Sequence, residues 1–235
     1  MAAVHEIADN IFRINLIIPD RPVTFSFFLV RADEPTLVET SYGWFFDEAR
    51  EAVAKLVDPA TIRHIVVPHF EGDECGGMNH FLGAAPHAEV LGSPIAARGS
   101  LLDFAIRPPR TVQDGELIDL GGKRLRILLT PQVHQWDSLL AFEETTGTLF
   151  SSDLFMQPGR GPAITEDDRT EAMIAFYRES NLMPSMAHLH AALDKIEPLG
   201  VKRLACHHGS TVAGRVIPAY FKAIRENDVT AFGGR

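Results

Sequence analysis

The amino-acid sequence predicts an α/β protein of two sheets, each covered on its outer side by helices. Three observations carry that expectation. Strand-like segments followed by helix-like ones occur twice in the 235 residues, in the same coarse order and without an obvious sequence repeat. The chain is long enough to bury a large core. No low-complexity linker divides it, so residues 1–235 are read as a single domain.

The elements follow in order. Residues 10–18, 23–32 and 36–40 are rich in Ile, Val, Phe and Thr and are separated by Pro-Asp or Asp-Glu-Pro turns, the pattern of an antiparallel meander. Residues 45–57 carry apolar side chains at helical spacing, with Asp47, Glu48, Arg50, Glu51 and Lys55 on the wet face, and stop at Asp58-Pro59. A strand at 61–67, a short helix at 76–82, a strand at 88–91 and a helix at 94–104 complete the first half. The second half has strands at 116–120, 124–129, 138–142 and 148–151, the last two joined as a hairpin by Glu-Glu-Thr-Thr-Gly. Helices at 168–179 and 184–197 follow, the second opening on Pro184. A strand at 201–206 and a helix at 218–226 close the chain.

Composition removes several function classes. A net charge of −9 offers no basic face to a phosphate backbone, which excludes nucleic acid as a partner. No apolar run of membrane-spanning length occurs, and the start lacks the basic and apolar stretches of a signal peptide. Two cysteines, Cys75 and Cys206, cannot build a disulfide framework, so the expected compartment is the reducing cytoplasm.

The chemistry concentrates in His69-Phe-Glu71-Gly-Asp73-Glu74-Cys75, followed by Gly76 and Gly77. In an extended segment His69 and Glu71 point to the same side and can grip one ion, while Asp73 can reach a neighbouring one. His134, Asp153 and the pair His207-His208 likewise follow strand-like stretches, and loops at such strand ends gather on one edge of a layered fold. Nitrogen and hard oxygen donors in this mixture suit iron or manganese better than a structural zinc, which usually recruits thiolates. Gly72, Gly76 and Gly77 are read as letting the backbone pass close to the metals. His5, His64, His80, His87, His188 and His190 are read as packing or surface residues, and the two cysteines as small buried apolar groups. Tyr42, Trp44, Trp136 and Phe155 fit either a pocket wall or core packing.

These motifs resemble the metallo-β-lactamase superfamily, and within it the diiron branch: the lactamase-like domain of flavodiiron proteins and the stand-alone oxygen-binding diiron proteins. That branch carries H-x-E-x-D, here His69-Phe-Glu71-Gly-Asp73. His134-Gln-Trp-Asp137-Ser138, Leu149-Phe-Ser-Ser-Asp153 and His208-Gly209 resemble its later ligand stretches, and the likeness runs from residue 4 to about residue 215. The resemblance implies an αββα sandwich with a binuclear site at one edge. It implies one ion on His69, Glu71 and His134, another on Asp73 and His208, and Asp153 between them. His207 is the less favoured of its pair, and Asp137-Ser138 are expected to orient His134. Glu74 stands where the superfamily usually has histidine; it either adds a ligand or turns away.

The function so implied is a non-haem diiron protein that binds or reduces O2 or NO. It would act as a sensor or with a separate flavoprotein or rubredoxin-like donor, and a homodimer is compatible with this reading. Two irons are the expected cofactor, with zinc or manganese as alternatives; neither a flavodoxin domain nor a bound flavin is expected. The alternative is a metal-dependent hydrolase of an ester, thioester, lactone or phosphoester, acting through a metal-bridged hydroxide.

Overall fold

The computed structural model describes residues 2–19, 21 and 23–230. The expected turn at Asp20 and the start of the chain at Met1 lie outside the described residues. Strands β1 (Ala3–Ala8), β2 (Ile11–Leu16), β3 (Phe25–Val30) and β4 (Thr36–Val38) form the antiparallel meander. Strands β5 (His64–Val66), β6 (Glu89–Gly92) and β7 (Arg110–Thr111) then add in parallel, giving a seven-stranded sheet in sequence order. Helices α1 (Phe46–Ala54), α2 (Gly72–Cys75), α3 (Met78–Ala84), α4 (Pro94–Arg98) and α5 (Ser100–Phe104) lie between these strands in the chain. The second sheet holds β8 (Leu117–Asp119), β9 (Arg124–Leu129), β10 (Leu139–Glu143), β11 (Thr148–Ser152), β12 (Ile164–Thr165), β13 (Arg203–Cys206) and β14 (Thr211–Ala213). Its order is β12-β14-β13-β11-β10-β9-β8. Helices α6 (Thr170–Ser180), α7 (Met186–Ile196) and α8 (Ile217–Glu226) belong to this half.

Side-chain alternation explains the layering. In β3, Phe25, Phe27 and Leu29 join Ala52, Val53, Phe81 and Leu82 in one core, whereas Phe28 and Val30 join Leu125, Ile127, Leu139 and Phe150 of the other sheet. In β10, Leu139 and Ala141 face that inter-sheet core, while Leu140 and Phe142 face the core lined by Met173, Tyr177, Leu189 and Tyr220. Three apolar layers therefore separate four layers of structure, an αββα sandwich. Phe28 and Phe150 meet across the sheets with ring centroids 5.4 Å apart. No helix among the described residues is long and apolar enough to cross a membrane.

Several expectations need correction. The helix expected over 94–104 is two short helices, because Gly99 between them has φ −115° and ψ −109°, a backbone state outside the helical region. Pro184 does not open α7; Ser185 caps it, its hydroxyl accepting from the His188 N–H, and the helix begins at Met186. The segment β1 carries exposed His5 and Glu6 in its middle and forms an edge strand without the apolar run that would reveal it. The expected hairpin is present: the Glu143 carboxylate accepts from the backbone N–H groups of Thr145 and Thr146, and Gly147 takes φ +71°.

Candidate metal centre

Four loops at the C-terminal ends of β5, β9, β11 and β13 meet at one edge of the sandwich. The first runs through Val67 and Pro68 to His69 and is pinned across the sheets, since the Pro68 carbonyl accepts from the Leu139 N–H at 2.8 Å. It enters the short helix α2, so Asp73 and Glu74 lie on the first helical turn and diverge.

The donors named from the sequence motifs fall into two adjacent groups. In the first, His69 Nε2 lies 3.1 Å from Glu71 Oε2 and His134 Nε2 lies 2.9 Å from Asp153 Oδ2. The His69 and His134 rings meet edge to face at 4.8 Å. In the second, His208 Nε2 is 3.6 Å from Asp73 Oδ2 and 3.5 Å from Asp153 Oδ1, and His207 Nε2 is 3.7 Å from the same Asp73 oxygen. Within each group the donor atoms lie within 4.8 Å of one another. Asp153 thus turns one oxygen towards each group. Its main-chain carbonyl accepts from the buried Tyr177 hydroxyl at 2.8 Å, which fixes the loop behind it. His208 Nδ1 donates to the Thr24 carbonyl at 2.8 Å, leaving Nε2 to face the group.

A buried layer lies beneath. Glu74 belongs to neither group but lies with Glu39 and His207 in a third, whose donor atoms are within 4.8 Å of one another; one of its oxygens accepts from the Ser152 hydroxyl, and the other lies 3.3 Å from the His69 N–H and 3.2 Å from His69 Nδ1. Glu39, fully buried at the end of β4, pairs with His207 Nδ1. Sequence reasoning missed Glu39 and Ser152. The only local signal was a carboxylate closing an apolar strand in Leu37-Val38-Glu39-Thr40.

The electrostatics call for cations. Burial works against the charge on Asp153, yet the bond from His134 and the nearby His208, His69 and His207 hold its pKa far below the usual carboxylate range. Burial likewise opposes a proton on His69, but Glu74, Glu71 and Asp153 outweigh it and push its pKa up to about 10. For His208 burial dominates, reinforced by His207, and its pKa falls. Asp153 Oδ1 and His207 Nε2 are buried without any hydrogen-bond partner. A pair of metal ions fits this donor set: mixed imidazole and carboxylate atoms, two of them orphaned, in a place rich in negative charge.

Other expectations resolve differently. Among the described residues no hydrogen bond joins Asp137 to His134; the Asp137 carboxylate accepts from the Phe70 N–H at 3.1 Å and holds the His69 loop. Ser138 closes the His134 loop instead, donating to the Gln135 carbonyl at 2.8 Å. Gly76 and Gly77 serve close backbone packing, not approach to metals. A Cβ at Gly76 would lie 2.8 Å from the Gly43 nitrogen, and one at Gly77 2.8 Å from the Thr40 carbonyl oxygen. Phe155 is buried against Phe221, whereas Trp44 and Trp136 are exposed. Cys75 and Cys206 are buried, and burial pushes both thiols up to about 12, away from the reactive thiolate. His64 is buried between Glu34 and Glu89, His80 stacks on Phe46, and neither joins the site.

Comparison with known proteins places this geometry in context. Residues 23–209 match the family model described as ODP family beta lactamase. The chain is 30% identical to putative diflavin flavoprotein A 1 of Nostoc sp. over 192 residues, covering 79% of this chain and 33% of that protein. It is 32% identical over 216 residues to a coenzyme F420H2 oxidase of Methanothermobacter marburgensis, covering 84% and 53%. The chain therefore spans a third to about half the length of these relatives. In three dimensions it is similar to rubredoxin oxygen:oxidoreductase from Desulfovibrio gigas, with a TM-score of 0.87 at 19% identity, covering 95% of this chain and 61% of that one. A flavo di-iron protein mutant from Thermotoga maritima gives 0.81 at 21% identity, with 95% and 60% covered.

Proposed function

The chain belongs to the ODP beta-lactamase family, and on that footing we propose that it is a non-haem diiron protein acting on O2 or NO. The observation that carries the reading is Glu71 beside His69, His134 and Asp153: a second carboxylate among the imidazoles hardens the donor set towards iron. His69, Glu71 and His134 would hold one ion and Asp73 and His208 the other, with Asp153 between them. When bound, the irons would supply redox equivalents and Lewis acidity.

The protein's own part is positioning. Tyr177 and Thr24 fix Asp153 and His208, and Asp137 and Ser138 fix the loops of His69 and His134. Relatives bear flavin, rubredoxin and coenzyme F420H2 in their names. That supports assigning the electron supply to a flavin or rubredoxin-like donor.

The test is metal analysis of protein expressed with ample iron, followed by rapid mixing of the anaerobically reduced protein with O2. Two irons per chain and an optical change on mixing are expected. Two zincs, no optical change and metal-dependent hydrolysis of thioesters or lactones would replace this reading with the hydrolase.

A further inference from the structure

A line of aromatic rings runs from the surface to the candidate centre without belonging to it. Trp44 is 67% exposed, more than any other large apolar side chain among the described residues. Its indole stacks on Tyr42, with ring centroids 5.5 Å apart and planes 28° apart, and on Phe45 at 4.0 Å. Tyr42 in turn lies 5.4 Å from Phe25, whose ring meets that of His208 edge to face at 5.1 Å. The Tyr42 ring also lies along the Glu71-Gly72-Asp73 segment, where a Cβ on Gly72 would be 3.6 Å from Tyr42 Cε1. We infer that Tyr42 and Trp44 form a relay that gives electrons to the centre when O2 reacts there with no outside donor at hand, and so carries the oxidising equivalent out to solvent. This inference rests on the O2 reading above.

Core packing accounts for Phe25, which is 4% exposed, but not for Trp44, which keeps most of its apolar surface in water. The segment that presents these rings is held firmly. The Thr40 N–H and hydroxyl both donate to the Glu74 carbonyl, at 2.6 and 3.1 Å, and the Gly77 N–H donates to the Ser41 carbonyl at 2.8 Å. Ser41 takes φ +64°, a left-handed conformation that a side-chain-bearing residue adopts only when its surroundings enforce it. Tyrosine and tryptophan are among the side chains most readily oxidised by one electron, and the electron count calls for them. O2 needs four electrons and four protons to become two waters. Oxidation of a ferrous pair to ferric accounts for two of the electrons. Tyr42 supplies the third together with its hydroxyl proton, Trp44 the fourth together with its indole proton, and solvent the remaining two protons. The products are two waters, two ferric ions, a tyrosyl radical and a tryptophanyl radical. Phenylalanine is too hard to oxidise to hold the charge, so Phe25 serves only as the packed medium between Tyr42 and His208. At the outer end Trp44 is open to a small thiol reductant, which restores the pair.

The test mixes the iron-loaded, anaerobically reduced chain with O2 in the absence of any donor, freezes it rapidly and reads it by electron paramagnetic resonance. Wild type should show an organic radical whose lines narrow when the protein carries ring-deuterated tyrosine or tryptophan. Trp44→Phe should remove the tryptophanyl part and leave the tyrosyl part, whereas Tyr42→Phe should remove both. Trp136→Phe is the control, because Trp136 is 59% exposed but stands outside this line of rings, and its loss should leave the signal unchanged. Optical oxidation of the centre without a radical in wild type would overturn the inference and leave the diiron reading standing. So would a radical that survives Tyr42→Phe undiminished, or one that Trp136→Phe abolishes. No optical change on mixing sinks both readings. The deuterated wild type identifies the radical without any substitution, so the test does not depend on how well the variants fold.

Discussion

Gly76→Ala should destabilise the protein although it adds a good helix former. Gly76 has φ −59° and ψ −32°, so the backbone itself welcomes alanine. In open space the exchange would stabilise by about 0.5–1 kcal/mol. The space is closed. The new Cβ would sit 2.4 Å from the Gly72 oxygen, 2.8 Å from the Gly43 nitrogen and 3.2 Å from the Tyr42 Cα, all main-chain atoms that no rotamer change can move aside. Overpacking of this kind costs about 1–3 kcal/mol, which outweighs the gain and leaves a net loss of about 1–2 kcal/mol. For a domain of this size that is a fall in Tm of about 2–8 °C. Gly83→Ala is the matched control, since a Cβ there meets nothing within 4 Å on an exposed helical position, and it should stabilise by about 0.5–1 kcal/mol. Urea unfolding of the metal-free chains followed by circular dichroism measures both. A Gly76→Ala midpoint at or above that of wild type would refute the packing argument.

Tyr177→Phe removes the buried donor to the Asp153 carbonyl and should cost about 1–2 kcal/mol in the same urea assay; an unchanged midpoint would show that bond to be dispensable. The metal-free chain should be most stable near neutral pH. His69, raised from 6.5 to about 10, gives stability that is full below pH 6.5 and lost as the pH climbs through 10, while Asp153, depressed from 3.8, gives stability present above that value and lost in acid. For the same reason metal uptake at pH 7 should release protons, visible as a buffer-dependent heat in calorimetry; no buffer dependence would contradict the charge assignment. Glu71→His should shift metal occupancy from iron towards zinc by elemental analysis, and an unchanged ratio would deny Glu71 its role in metal choice.

Sequence patterns located elements whose burial is one- or two-sided over several residues. The apolar run of β9, bracketed by Arg124 and Thr130-Pro131, matches its observed bounds of Arg124–Leu129. Strands β12 and β14 escaped notice because two or three residues carry no period; pairing with distant segments makes them strands. Polar donors interrupting apolar stretches at strand ends made His69, Glu71, Asp73, His134, Asp153 and His208 legible as candidates. The division of labour among Glu39, Glu74, Ser152 and His207 was not legible. It depends on left-handed backbone at Glu39 and Ser152 and on contacts between residues 39 and 207, which local sequence does not encode. Gly76 and Gly77 show the converse: their presence was plain, but only the closeness of residues 40–43 reveals what they accommodate.

Each donor group draws on both sheets. His69 and Glu71 come from the first and His134 and Asp153 from the second; Asp73 comes from the first and His207 and His208 from the second. An ion at either place would therefore also be a clasp between two halves that otherwise adhere through apolar side chains such as Phe28 and Phe150. At a free-ion concentration a thousand times the dissociation constant, each such clasp is worth about 4 kcal/mol against unfolding. That is comparable to a sizeable fraction of a typical domain's whole stability. On the diiron reading, iron supply would then set the stability of the folded chain as well as its chemistry.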